Sequence, residues 1–135
     1  MAQLIRDRDT KRRDGRLFSL PVSGGVRIFS GSIVFLDADG YAVPAYSPTA
    51  ESLTFPCLAL ETVDNRDGAA GDKSVNVERT VIGLDYTPGV DRPVIGSIVF
   101  ALDDHTVTDS DTDTRPVGRL VDIQDGQAWV DLTQA

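Results

Sequence analysis

The pentapeptide Gly31-Ser32-Ile33-Val34-Phe35 returns intact as Gly96-Ser97-Ile98-Val99-Phe100, 65 positions further on. Such a repeat limits the fold strongly, because each copy must form the same local structure and bury the same face. At that offset Gly24 meets Gly89 and Arg27 meets Arg92, while Val43 and Val107 each follow a short polar turn. Further on, Pro56-Cys57-Leu58-Ala59-Leu60 faces Pro116-Val117-Gly118-Arg119-Leu120 at an offset of 60, which makes the second connection five residues shorter. The pattern predicts two similar halves, about 22–83 and 87–135, within a single domain at 22–135. Leu84–Gly89 would join them, since Pro88-Gly89 suits a type II turn. Residues 1–21 are then an N-terminal arm.

Each half reads as short strands. Ile33 and Phe35 point one way and Val34 and Leu36 the other, so both faces of that strand need cover. Asp39-Gly40 supplies positive φ angles for a tight turn before Tyr41–Val43. A strand is expected at Leu58–Val63, and another where Val75 and Val77 alternate with Asn76 and Glu78. The second half repeats the plan with Ile98–Leu102, Thr106–Thr108, Val117–Ile123 and, after Asp125-Gly126, Ala128–Leu132. No window carries a helical stripe. Twelve glycines and seven prolines punctuate these strands, so the expected fold is all-β, a small sandwich or barrel with pseudo-two-fold symmetry.

The formal net charge of −8 is unevenly spread. Residues 1–16 hold six basic side chains (Arg6, Arg8, Lys11, Arg12, Arg13, Arg16) against three acidic ones, which leaves −11 for the rest. An acidic body repels polyphosphate, so no direct nucleic-acid role is expected; a basic arm instead suits an acidic protein surface. Cys57 is the only cysteine, which excludes an intrachain disulfide and suits assembly in a reducing cytoplasm. The start of the chain lacks the apolar core of a signal peptide, and no apolar run approaches the length of a membrane span.

No catalytic group stands out. His105, the only histidine, falls where the second hairpin turns and reads as an exposed turn residue rather than a general base. Cys57 sits in an apolar strand and reads as a small buried hydrophobe. Asp109, Asp111 and Asp113 alternate along a Ser/Thr-rich loop, but the glycine and the later glutamate of an EF-hand are missing. Val22–Val26 lacks the Lys-Ser/Thr pair of a phosphate loop. The chain is therefore expected to be no enzyme and to hold no metal or cofactor. Trp129 lies opposite Ala128, Val130 and Leu132 on the last strand, which places it either in a subunit contact or beneath the arm or a long loop.

Gly96–Phe100, Asp103–Thr108, Val117–Ile123 and Ala128–Leu132, with fainter counterparts at Gly31–Val43, Leu58–Val63 and Gly71–Val77, resemble the capsid decoration (cement) proteins of tailed bacteriophages. The resemblance covers roughly residues 22–135 and rests on Gly, Val and turn residues; the charged arm is not part of it. It implies a compact β-domain, tulip-like in some members. It also implies a virion location on the outer capsid surface after synthesis in the host cytoplasm, with the major capsid protein as partner. A homotrimer, or a dimer, that bridges neighbouring capsomers and stabilises the expanded head would follow. The partner contacts expected on this reading are Arg6, Arg8, Lys11, Arg12, Arg13, Arg16 and Trp129. The alternatives are another phage module (tail, fibre or head–tail joining) and a carbohydrate-binding module using Trp129 and Tyr86. A hydrolase using Asp111 and His105 is the weakest reading.

Overall fold

The computed structural model describes residues 2–3, 5–9, 15–48, 50–51, 55–112 and 114–134. Among these residues the chain is nearly all β, with a single 3-10 turn at Arg92–Val94. No helix among the described residues is long and apolar enough to cross a membrane. The strands are β1 (Leu17–Pro21), β2 (Arg27–Ile28), β3 (Ile33–Asp37), β4 (Ala42–Pro44), β5 (Ala50–Glu51), β6 (Cys57–Ala59), β7 (Val63–Asp64), β8 (Ser74–Glu78), β9 (Val81–Tyr86), β10 (Ile98–Ala101), β11 (Thr106–Thr108), β12 (Arg115–Gln124) and β13 (Gln127–Asp131).

Strands β9 to β13 close into a barrel in the order β10-β11-β9-β13-β12. Strands β1 to β8 follow the same path, β1-β8-β6-β3-β4, and return to the start through a parallel bridge between Val22 and Ala42. The correspondence extends to single pairs. Leu36↔Ala42 recurs as Ala101↔Val107, Leu58↔Glu78 as Arg119↔Asp131, and Ser19↔Asn76 as Gly83↔Trp129. The amide of Gly31 donates to Ala59 and that of Gly96 to Leu120; the amide of Arg79 donates to Arg16 and that of Leu132 to Thr80.

These pairs move the expected boundaries. Leu17–Pro21 is a strand, so regular structure begins inside the stretch given to the arm; Phe18 and Leu20 alternate toward the apolar interior there. Leu84–Tyr86 is the end of β9, bonded to both β13 and β11, and not a joining turn. The equivalent segments are therefore about 16–79 and 80–132, which abut with no linker. Cys57 answers to Gly118, not to Val117, because Val34↔Cys57 matches Val99↔Gly118. The expected Leu58–Val63 strand is broken into β6 and β7.

Two apolar clusters follow from strand alternation. Val34, Ala42, Cys57, Ala59, Val75 and Val77 fill the first barrel, together with Val22, Ile28 and Val63. The last two come from the β2–β7 ribbon, whose β7 strand lies in a connection (Leu60–Lys73) far longer than its counterpart Val121–Gly126. Asn65 organises that connection. Its Nδ2 donates to Ser23 and Ala69 carbonyls at 3.0 Å each, and its backbone N–H donates to Val26. Its Oδ1 lies against Gly68, where an added Cβ would sit only 2.1 Å away.

The second barrel lacks such a cap. Its interior residues Ile82, Leu84, Val99, Val107, Leu120, Ala128 and Val130 share a cluster with Ile33, Phe35, Val43 and Ala45 of the first barrel. The outward face of β3 and β4 thus closes the second barrel, and the Ile33 amide donates to the Asp104 carbonyl at 2.7 Å. The corresponding face of β10, Ile98 and Phe100, is only half-buried and stands outside the cluster. The barrels therefore pack head to tail, not by the reciprocal contact that two-fold symmetry would require. Arg79 clasps the joint, donating to Pro56 and Leu132 carbonyls at 3.3 and 3.0 Å with its guanidinium 4.5 Å over Phe55.

Candidate interaction site

The residues singled out from the sequence fall in three separate places. Trp129 is on the outer face of the second barrel, since Ala128 and Val130 point inward. Its ring lies over Gly83, where a side chain would meet it, and its indole N–H donates to the Gln124 carbonyl at 3.2 Å. Val81 and Val121, 44% and 39% exposed, lie on the flanking strands, while Trp129 is half-buried and shares its face with Gln127 and Asp131, so the face mixes apolar and polar groups on a strand held at both edges. Arg16 is not an arm residue: its Nε lies 3.3 Å from Glu78 Oε2 at the start of β1. Arg6 and Arg8 are exposed, as is Ile5, while Lys11, Arg12 and Arg13 lie outside the described residues, as does Asp113.

A further surface was not anticipated. A shallow cleft on the first barrel is lined by Gly25, Arg27, Phe29, Pro44, Tyr46 and Arg66, among others. Phe29 and Tyr46 are 48% and 60% exposed. The Arg27 guanidinium stacks 4.6 Å over the Phe29 ring, a geometry that orders it at little entropic cost. Arg66 is held by Asp64 through two hydrogen bonds of 2.9 and 2.8 Å. Those bonds pull the Asp64 carboxyl down to about 2 and raise Arg66. Arginine and exposed aromatics together are the residue types that dominate binding energy at interfaces. The lining comes from three distant segments, so its only local signal is the run Pro44-Ala45-Tyr46-Ser47-Pro48.

His105 forms a polar cluster at the β10–β11 turn. Its backbone N–H donates to Asp103 Oδ1 at 2.9 Å, and its Nδ1 lies 3.1 Å from both Asp103 Oδ1 and Asp104 Oδ1. Asp85 Oδ2 is 3.9 Å from Nε2. Asp103, Asp104 and His105 offer ligand atoms within 4.8 Å of one another. The same contacts, however, are those of an imidazolium held by carboxylates on an exposed turn. The hydrogen bond to Asp104, then the charges of Asp103, Asp104 and Asp85, raise the His105 pKa above its ordinary value. A folded pKa above the unfolded one gives stability that is complete below about 6.5 and is lost as pH rises through the folded value. Proton NMR titration of this single imidazole should give a pKa above that of His105 in the urea-unfolded chain. The stability difference between wild type and His105→Asn should shrink between mildly acidic and mildly basic pH. A difference that grows with pH would contradict the cluster.

Cys57 is buried, and burial pushes its thiol up to about 12, so it is a packed side chain and not a nucleophile at neutral pH. No family model, curated protein or solved structure matches this chain.

Proposed function

We propose that this chain is a structural binding protein that coats the outer surface of a tailed-phage head and cements neighbouring capsomers. The observation that carries the reading is the rigid outer face around Trp129. It lies on a block of two barrels joined without a linker, and it presents the half-buried Trp129 ring with exposed Val81 and Val121 on the flanking strands. Such a block loses little conformational freedom on docking, so weak contacts convert efficiently into retention. The basic side chains Arg6, Arg8, Lys11, Arg12 and Arg13 add a charge contact suited to acidic shell surface, and self-association into a closed ring multiplies both. A partner that binds only the expanded shell stabilises it by mass action.

The test is co-sedimentation with expanded tailed-phage shells assembled from the major capsid protein of the same source. Saturable binding is expected, with the occupancy weakened at least about tenfold by Trp129→Ala, a typical hot-spot loss. Removal of residues 1–15 should weaken it further and flatten its dependence on salt. Failure of the intact protein to sediment with shells at any salt concentration would overturn the proposal.

A further inference from the structure

The Arg27 guanidinium has only the already engaged Asp64 near it on the paired strand among the described residues. It makes no ion pair among the described residues, although the chain carries 21 acidic side chains. Asp64, whose carboxyl feels the Arg27 charge, is taken by both arms of Arg66. The guanidinium is nevertheless fixed on Phe29, and the loop that carries Tyr46 is pinned. Ala45 donates to the Ile33 carbonyl, Ser47 to Pro44 and Ala50 to Ser47, with prolines at 44 and 48. An ordered, weakly hydrated guanidinium stacked on an exposed aromatic ring, in a cleft that also holds exposed Tyr46, is built to receive a carboxylate.

The complementary surface is on the same chain. Residues 80–135 carry ten acidic and three basic side chains, net −7, against eight and five, net −3, for residues 16–79. Within the acidic half, the loop after β11 carries Asp109 and Asp111, both exposed and without an ion-pair partner among the described residues, the Asp109 carboxylate lying over Gly89 and Asp111 farther along the loop. That loop is also held in shape. Thr114 Oγ1 donates to the Ser110 carbonyl at 2.7 Å, and the amides of Ser110 and Thr112 donate to Thr108 and Ser110 hydroxyls at 3.3 Å each. No residue of this loop lines the cleft, so the chain does not satisfy Arg27 with its own acidic loop.

We propose that the Arg27–Phe29–Tyr46 cleft of one copy docks the Asp109–Thr112 loop of a second copy. Cleft and loop are different surfaces, so the contact is heterologous and joins copies head to tail, closing into a ring where the rotation permits. Both partners are preorganised, and the contact is charge-assisted with aromatic side walls, so it is salt-sensitive and specific in register.

The experiment needs no shells, so its outcome is independent of the shell-binding reading. The mass of the full chain is measured by sedimentation and light scattering, at low ionic strength and in molar salt. Wild type is expected at a multiple of the 14.5 kDa chain mass in low salt, with association weakened by molar salt. Arg27→Glu alone, and Asp109→Arg with Asp111→Arg alone, should each remain at the single-chain mass. Mixed together they should associate again, because each supplies the surface the other lacks. Tyr46→Ala, an exposed position, should weaken association at least about tenfold without lowering the melting temperature. A single-chain mass for wild type at every concentration would overturn the proposal. So would an Arg27→Glu variant that still associates, or a mixture of folded variants that does not recover.

Discussion

Phe35→Ala is expected to lower the unfolding free energy by about 3–5 kcal/mol, the usual cost of emptying a core aromatic site. Phe35 is 1% exposed and belongs to the cluster that contains the interior of the second barrel. Its loss would remove a fully buried ring and also part of the lid that the first barrel places over the second. The informative comparison is Phe100→Ala. Phe100 occupies the matching position 65 residues on, yet it is only half-buried. Reciprocal packing of the two barrels would make the two losses alike, whereas head-to-tail packing makes the Phe100 loss clearly smaller. Urea unfolding of both variants, followed by the fluorescence of Trp129, measures this directly. Equal losses, or a Phe35→Ala loss under about 1 kcal/mol, below any usual core cost, would mean that the second barrel is closed by something other than β3 and β4.

What the sequence showed and what it hid divide along a physical line. Alternation within a strand is local, so β3, β8, β10, β11 and β13 were legible from Val, Ile and Phe at period two, and so was the outward direction of Trp129. The turns at Gly40 and at Asp125-Gly126 were legible because those residues take positive φ (85°, 57° and 74°). The equivalence of β1 and β9 was not. Leu17-Phe18-Ser19-Leu20-Pro21 and Val81-Ile82-Gly83-Leu84-Asp85 share only one identical position, and what unites them is pairing: Leu17↔Glu78 answers to Val81↔Asp131. An offset of 60 between Pro56–Leu60 and Pro116–Leu120 was drawn from identical residues. The ladder sets 61, and that one-residue slip reverses which side chains face inward. The Arg27 cleft was illegible for a different reason: it exists only because β2 pairs with β7, which brings Arg66 beside residues almost forty positions earlier. Arg16 was misread as part of the arm because a run of basic residues hides the one that anchors a strand.

Gly118→Ala should destabilise the chain by about 3 kcal/mol, the upper end of ordinary overpacking, and lower Tm by roughly 10 °C. A Cβ at this position would lie 2.2 Å from the main-chain oxygen of Asp131, 2.8 Å from its carbonyl carbon and 3.0 Å from Val130 Cγ1. Two of these atoms are backbone, so no side-chain rotation relieves the contact. Strand β13 cannot yield easily either, because β9 holds its other edge from Val81 to Leu84, and β12 is tied to β10 through Val99↔Gly118. Relief therefore requires β12 and β13 to part, which opens the barrel. Gly126→Ala separates this steric effect from the cost of backbone strain. Gly126 has φ of 74° but open space around its Cβ position, so its replacement should cost only about 1 kcal/mol. The equivalent position in the first barrel already carries the fully buried side chain of Cys57, so the restriction belongs to the second barrel and not to the shared topology. Thermal melts of the two glycine variants decide the point. If Gly118→Ala melts with or above Gly126→Ala, β12 and β13 lie farther apart than this register allows.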